Sequence, residues 1–114
     1  MYEKILLFTD IHITDGTLIT GLDPVSRFRA ALDHALADHS DASRIVILGD
    51  LTHNGRVEEY QSFQECVKDL PLPVDLLPGN HDRRAGFEQV FGRAFAPFAF
   101  DAMGHRILCL DTLD

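Results

Sequence analysis

Three short segments of the chain combine carboxylates, imidazoles and an amide at spacings that could hold metal ions. Asp10 and His12 are two residues apart, Asp50 follows a glycine, and Asn80 and His81 are adjacent. Carboxylate and amide oxygens suit hard cations, and imidazole nitrogens suit borderline transition metals such as Mn, Fe and Zn. The mixed donor set therefore predicts a transition-metal site and disfavours Mg²⁺.

Each of these segments follows an apolar run that is typical of a buried strand. The runs cover residues 5–9, 44–49 and 74–77, and the second is rich in β-branched side chains. Parallel strands in an α/β sheet deliver their functional groups at their carboxyl ends. We therefore expect the three polar segments to meet at one edge of a sheet.

Amphipathic stretches separate the predicted strands. Asp23 and Pro24 predict the start of a helix that ends near His39, because aspartate caps helices and proline fits the first helical position. A second apolar stripe begins at Val57 and stops before Pro71, and a short third helix is expected after the last polar segment. The β-α-β-α-β order predicts an α/β fold with a parallel sheet and right-handed crossovers.

The residue pattern in the last part of the chain predicts a β-hairpin. Residues 98–101 and 105–111 flank a turn at Ala102-Met103-Gly104, and the second strand is predicted at residues 107–110. Cys66 on the second helix and Cys109 in the hairpin are predicted to be small buried hydrophobes, with no disulfide framework. Three aromatic residues near the hairpin are expected to pack in the core rather than line a base-binding pocket: Phe95, Phe98 and Phe100.

Composition narrows the possible functions. The chain has 114 residues and a formal charge of −8. This acidic excess argues against a general nucleic-acid-binding protein, which would carry a basic face. No apolar run is long enough to span a membrane, and the N-terminal residues do not have the form of a secretory signal peptide. We therefore expect a cytoplasmic location without membrane insertion.

The three polar segments resemble the first three signature blocks of the calcineurin-like metallophosphoesterases. The segments are Asp10-x-His12, Gly49-Asp50-Leu51-x-x-x-Gly55 and Gly79-Asn80-His81-Asp82. They are most similar to those of bacterial class III cyclic-nucleotide phosphodiesterases and related glycerophosphodiesterases. The resemblance runs from Lys4 to about Asp111.

The later blocks of that family, a lone histidine and then Gly-His-x-His, are absent from this sequence. Gly104-His105 lacks the second histidine. We therefore expect residues 1–114 to be a calcineurin-like domain that is incomplete at its C-terminus. The resemblance implies the N-terminal half of an α/β sandwich, with the parallel sheet followed by a hairpin.

The resemblance also implies roles for the polar side chains. Asp10 and His12 would bind one metal, Asp50 would bridge two, and Asn80 would bind the second. Two divalent ions, Mn, Fe or Zn, would then clamp a small phosphodiester and activate a water. His81 would donate to a phosphate oxygen or protonate the leaving group, and Asn80 and His81 would both contact the substrate.

The sequence leaves the roles of Asp82 and His53 undecided. Asp82 could orient His81 for catalysis, or it could only hydrogen-bond the loop. His53 stands where the family often has an acidic residue. It could be a solvated loop side chain, a substrate contact or a weak metal ligand.

Two classes of function fit the sequence. One is a binuclear metal-dependent phosphodiesterase, and the other is a non-catalytic fragment or binding scaffold that lacks the later histidine ligands. A protein phosphatase of the same superfamily is less favoured, because His53-Asn54 stand where its second block has Asp-Arg. We expect the chain as given to bind about one metal ion well and to self-associate through an open apolar sheet face.

Overall fold

The computed structural model describes residues 2–95 and 97–114; Met1 and Ala96, which the predicted domain includes, lie outside the described residues. The chain forms a mixed α/β fold, as predicted. In chain order its elements are β1 (Lys4–Phe8), α1 (Pro24–Asp38), β2 (Ala42–Ile47), α2 (Val57–Val67), β3 (Val74–Leu76), α3 (Arg84–Phe91), β4 (Phe98–Ala102) and β5 (His105–Cys109).

The three strands β1, β2 and β3 form one parallel sheet in that order. Leu6 pairs with Ile45, and Ile47 pairs with Leu76, so the strands end together at one edge. Strands β1 and β3 each end one residue earlier than the sequence predicted, and β2 ends two residues earlier. Consequently all three polar segments are loops that leave the sheet at its carboxyl edge.

The helices begin and end where local chemistry dictates. The Asp23 side chain accepts a hydrogen bond from the Val25 amide, and Pro24 occupies the first helical position of α1, as predicted. Helix α3 ends at Gly92, whose φ of 69° is the left-handed conformation that glycine adopts most readily. One face of the sheet packs against α1 and α2, and the core includes Ile45, Phe28 and Phe63.

The predicted hairpin is confirmed as β4 and β5, paired antiparallel around a two-residue turn. Met103 and Gly104 both have positive φ, the geometry that matches the twist of tight hairpins. Arg44 of β2 links the hairpin to the sheet. Its guanidinium lies 4.2 Å from the ring centroid of Phe100 and forms an ion pair with Asp75 on β3.

The residues expected in the core divide into two groups. Phe95 is buried and stacks on Phe87, and both cysteines are buried and free, as predicted. Burial raises the pKa of the Cys66 thiol, as for an unreactive buried cysteine. Phe98 and Phe100 are only half-buried, on alternate positions of β4 whose neighbours Ala99 and Asp101 are exposed.

Several large apolar side chains remain exposed on the sheet and hairpin. Leu7 is 63% exposed on β1 and Leu108 is 66% exposed on β5, with Leu48 and Leu110 also exposed. The predicted self-association through this surface stays a prediction. Within residues 2–95 and 97–114, no helix is both long and apolar enough to cross a bilayer.

Candidate metal centre

The loops after β1 and β2 run side by side and are joined by backbone hydrogen bonds. The amide of Asp10 donates to the Gly49 carbonyl at 3.1 Å, and the amide of His12 donates to the Asp50 carbonyl at 2.9 Å. The amide of His53 then donates back to the Ile13 carbonyl at 3.0 Å. These bonds continue the strand pairing into the loops and fix the position of the first polar segment relative to the second.

The backbone of the candidate ligands is unusual. Asp10, His12 and Asp50 have φ values of 58°, 49° and 50°, in the left-handed region that non-glycine residues seldom adopt. Aspartate and histidine tolerate this region better than most residues, but it still costs free energy, and such strain concentrates at functional sites. Asp10 and His12 therefore converge through a turned loop, not through an extended strand.

The side chains of Asp10, His12 and Asp50 form a compact donor cluster. One ligand atom from each lies within 4.8 Å of the other two. Nε2 of His12 is 3.6 Å from Oδ2 of Asp50 and 3.9 Å from Oδ1 of Asp10. Two carboxylates and one imidazole at this separation are chemically suited to a divalent transition metal, so the residues present fit the ion that the sequence predicted.

Asp50 is held between the second and third loops. It is 8% exposed, and its Oδ1 accepts a hydrogen bond from the His81 amide at 2.9 Å. A side chain on Gly79 would place Cβ only 2.2 Å from that same oxygen. Gly79 is therefore required for the third loop to approach the carboxylate of Asp50.

Asp82 is a structural hub, and its contacts support the second of its two expected roles, hydrogen-bonding the loop. Its carboxylate is 3% exposed and accepts hydrogen bonds from both loops, and its recorded partners do not include the His81 ring. The hub therefore locks the second loop to the third. Its donors are the amides of Leu51, Thr52 and Gly79 and the hydroxyls of Thr52 and Tyr60, at 2.9–3.1 Å.

Tyr60 and Glu59 extend this network to helix α2, and neither was predicted as a site residue. Burial, followed by the negative charge of Asp82, raises the pKa of Tyr60 well above its ordinary value. Its hydroxyl donates to Asp82 and accepts from the Arg83 amide. Glu59, 1% exposed, accepts from the amides of Asn54 and Arg56. Glu59 occupies the third position of α2, where a capping glutamate is expected, so this position in the sequence could have indicated its role.

Three histidines gather beside the carboxylates. The rings of His12, His53 and His81 have centroids 4.7–5.3 Å apart, and one nitrogen from each lies within 4.8 Å of the others. Nδ1 of His53 is 3.3 Å from Nδ1 of His12. Nδ1 of His81 donates to the His53 carbonyl at 2.7 Å, so His81 carries its proton on Nδ1. His53 is thus half-buried within the site and is not a solvated loop residue.

Two cavities flank this centre. One, of about 520 Å³, is lined by His53, Asn80 and His81 together with Arg83 and Arg84. Asn80 is exposed there, beside His81 in the third loop. The two arginines were not predicted as site residues, although they directly follow the third polar segment. Arg84 forms an ion pair with Asp111, and Arg83 adds a second guanidinium to the cavity that Asn80 borders.

The second cavity, of about 460 Å³, lies between the first loop and α1. Asp10 and His12 border it at one end, and Phe8, Phe28 and Arg27 contribute to its walls. The other three histidines lie elsewhere and are exposed: His34 and His39 are surface residues, and His105, expected in the hairpin turn, is the first residue of β5.

Comparison with known proteins gives a consistent result. A model of the calcineurin-like phosphoesterase family matches residues 3–112. A probable cyclic nucleotide phosphodiesterase from Rhodopseudomonas palustris is 35% identical over 89 residues, which cover 77% of this chain and 32% of that protein. A glycerophosphodiester phosphodiesterase from Enterobacter lignolyticus is 33% identical over 120 residues, covering 96% of this chain and 38% of that protein.

A 3',5'-cyclic adenosine monophosphate phosphodiesterase from Vibrio vulnificus is 27% identical over 90 residues, covering 76% of this chain and 32% of that protein. The chain thus spans about a third to two fifths of the length of these three relatives. The family match covers nearly all of the chain, and the fold and the three loops agree with the predicted resemblance. The chain therefore belongs to the calcineurin-like phosphoesterase family.

Proposed function

We propose that this chain carries the metal-binding core of a metal-dependent phosphodiesterase that acts on a small phosphodiester. The observation that carries the proposal is the cluster of Asp10, His12 and Asp50, with ligand atoms within 4.8 Å of one another. His81 lies directly beside it, its ring centroid 4.7 Å from that of His12. A metal cluster with an adjacent non-ligand imidazole suits phosphoester hydrolysis, because the metal activates water and the imidazole can transfer a proton.

The proposed ligands divide between two ions. Asp10, His12 and Asp50 would hold the first, and Asp50 and Asn80 would hold part of the second. Mn, Fe or Zn suits this mixture of oxygen and nitrogen donors. Such ions, when bound, polarise the phosphoryl oxygens and activate water for attack. Because the second ion has only Asp50 and Asn80 among the proposed ligands, we propose that residues 1–114 form part of the catalytic domain and not all of it.

The chain's own residues would position and protonate the substrate. The His53 carbonyl holds the Nδ1 proton of His81, so Nε2 is the ring nitrogen that remains to carry a second proton to the leaving oxygen. Asn80 and Arg83 line the same cavity and could hydrogen-bond the phosphate. His53 borders that cavity as well, so its Nε2 remains a candidate for the predicted substrate contact.

The size of the cavities favours a small substrate. At about 460 and 520 Å³, both fall in the range that small-molecule sites occupy, roughly 300–1,000 Å³. The relatives are named for cyclic nucleotides and for glycerophosphodiesters. A cyclic nucleotide or a glycerol phosphodiester is therefore the proposed substrate. The cytoplasm is the proposed location.

The test combines Mn²⁺ titration with hydrolysis of bis-(4-nitrophenyl) phosphate. We expect the chain to bind about one Mn²⁺ tightly and to hydrolyse the diester slowly. A chimaera completed with the remaining portion of one of the relatives should bind two ions and turn over faster. Asp50→Asn should reduce both properties in either protein, and exposed His34→Asn should change neither. A chain and chimaera without metal-dependent hydrolysis would contradict the proposal.

The sparse ligand set of the second ion favours one alternative, a metal-binding scaffold without turnover. That alternative predicts tight binding of one Mn²⁺ by the chain and no hydrolysis by the chain or by the chimaera. The hydrolysis measurement on the chimaera therefore separates the two functions.

A further inference from the structure

His53 touches two parts of the candidate centre through two different groups. Its side-chain Nδ1 lies 3.3 Å from Nδ1 of His12, a hydrogen-bonding distance between the two rings. Its main-chain carbonyl accepts the Nδ1 proton of His81 at 2.7 Å. Its amide is fixed by the Ile13 carbonyl at 3.0 Å. One residue therefore connects a proposed metal ligand to the proposed proton donor.

The two nitrogens of His12 face different neighbours. Nε2 points toward the carboxylates, 3.6 Å from Asp50, and Nδ1 faces His53. A metal bound with Asp10 and Asp50 would thus take Nε2 of His12. The other nitrogen of that neutral ring must then carry the proton, and a proton on Nδ1 of His12 needs an acceptor.

We propose that His53 is a positioning residue whose Nδ1 accepts the Nδ1 proton of His12. This inference rests on the proposed function, because it assumes a metal bound through Nε2 of His12. It assigns His53 the tautomer with its own proton on Nε2, directed away from His12. Ligating histidines depend on such an acceptor for ring orientation and basicity, and its loss costs about 10–100-fold in metal affinity or activity.

The competing arrangement places a metal among His12, His53 and His81. Such an ion would have to use Nδ1 of His12 if it lay between the two rings, and it would leave Asp10 and Asp50 without the imidazole that now lies beside them. The two arrangements require different atoms of His53. The positioning role uses Nδ1 as an acceptor, whereas a role as substrate contact uses Nε2.

Three substitutions of His53 separate these atoms. In His53→Asn the amide oxygen sits on Cγ, where Nδ1 sits in histidine, so it can still accept from His12. In His53→Gln the amide is one bond further from the backbone and corresponds to Nε2. His53→Leu removes both groups. Exposed His34→Asn serves as the control, and thermal unfolding of each variant checks that it remains folded.

Titration of the 114-residue chain with Mn²⁺ is the first readout. We expect His53→Leu and His53→Gln to weaken binding by about 10–100-fold, and His53→Asn to stay close to the parent. Equal affinity in all variants, or rescue by Gln in place of Asn, would overturn the positioning role. If His53→Leu does not fold, the Asn and Gln variants decide the question between them.

The nitrogen NMR spectrum of the Zn²⁺-loaded chain is the second readout. We expect Nδ1 of His12 and Nε2 of His53 to be protonated, and Nδ1 of His53 to be unprotonated. A protonated Nδ1 on His53, or zinc bound to a His53 nitrogen, would contradict the inference while leaving the proposed function intact. A parent chain that binds neither Mn²⁺ nor Zn²⁺ would instead remove the proposed function, and the inference with it.

Discussion

The most demanding structural prediction concerns Asp82, a buried carboxylate at the junction of two loops. Asp82→Asn keeps the size of the side chain but removes its charge and replaces one oxygen with an NH₂ group. In the better orientation, the remaining oxygen still accepts from Thr52 and Tyr60. The NH₂ group then faces the amides of Leu51 and Gly79, which donated to Oδ2 at 3.0 and 2.9 Å.

The cost follows from those two lost acceptors. A hydrogen bond to a charged group contributes about 1.5–3 kcal/mol, so losing two predicts a destabilisation of about 3–6 kcal/mol. Screening by solvent is small here, because the side chain is 3% exposed. A loss of this size is a large share of the roughly 5–15 kcal/mol that stabilises a typical domain.

Urea unfolding followed by circular dichroism measures this loss directly. Asp33→Asn, on the exposed side of α1, is the matched control and should change stability by about 0.5 kcal/mol or less. A loss below about 1 kcal/mol in Asp82→Asn, the typical effect of an ordinary point mutation, would refute the hub described for this carboxylate.

Three further predictions concern neighbouring residues. Gly79→Ala should displace Asp50, since the new Cβ would lie 2.2 Å from Oδ1, and should lower both stability and Mn²⁺ affinity in the same titrations. Tyr60→Phe should cost about 1–3 kcal/mol in urea unfolding. Burial raises the pKa of Tyr60 above 10.0, so above about pH 10 the Tyr60 hydroxyl ionises in the unfolded chain but not in the folded one. The parent should therefore lose stability as the pH rises above about 10, and Tyr60→Phe should lack that contribution. In an active protein, His81→Ala should slow diester turnover by about 10²–10⁴-fold, less with a nitrophenolate leaving group; equal losses for good and poor leaving groups would contradict a general acid.

The sequence predicted the parts of the fold that follow from local patterns. Apolar runs located the three strands, the Asp23-Pro24 pair located the start of α1, and the glycine in Met103-Gly104 located the hairpin turn. Because parallel strands end at a common edge, the order of the elements was enough to bring the polar segments together. The proximity of Asp10, His12 and Asp50 was predictable for the same reason.

The features of the site that could not be predicted from the sequence depend on three-dimensional contacts. The left-handed backbone of Asp10, His12 and Asp50 is imposed by pairing between loops, which no local pattern reports. The role of Asp82 depends on donors from Leu51 and Thr52, some 30 residues earlier in the chain. Non-local hydrogen bonds of this kind leave no periodicity in the sequence.

The position of His53 has the same origin. Its side chain reaches His12 and its carbonyl reaches His81, residues that are 41 and 28 positions away. From the sequence, a solvated loop residue was the favoured interpretation, and a substrate contact or a weak ligand stayed open. Only the packing of the three loops places it beside the other two histidines.

The central claim is that Asp50 belongs to a metal site shared by the three loops, and calorimetric titration with Mn²⁺ tests it most directly. The parent chain should bind about one Mn²⁺ per chain. Of single substitutions at Asp10, His12, Asp50 and Asn80, Asp50→Asn should cause the largest loss of affinity, because Asp50 is the carboxylate proposed to serve both ions. Unchanged Mn²⁺ affinity in a folded Asp50→Asn variant would contradict the claim.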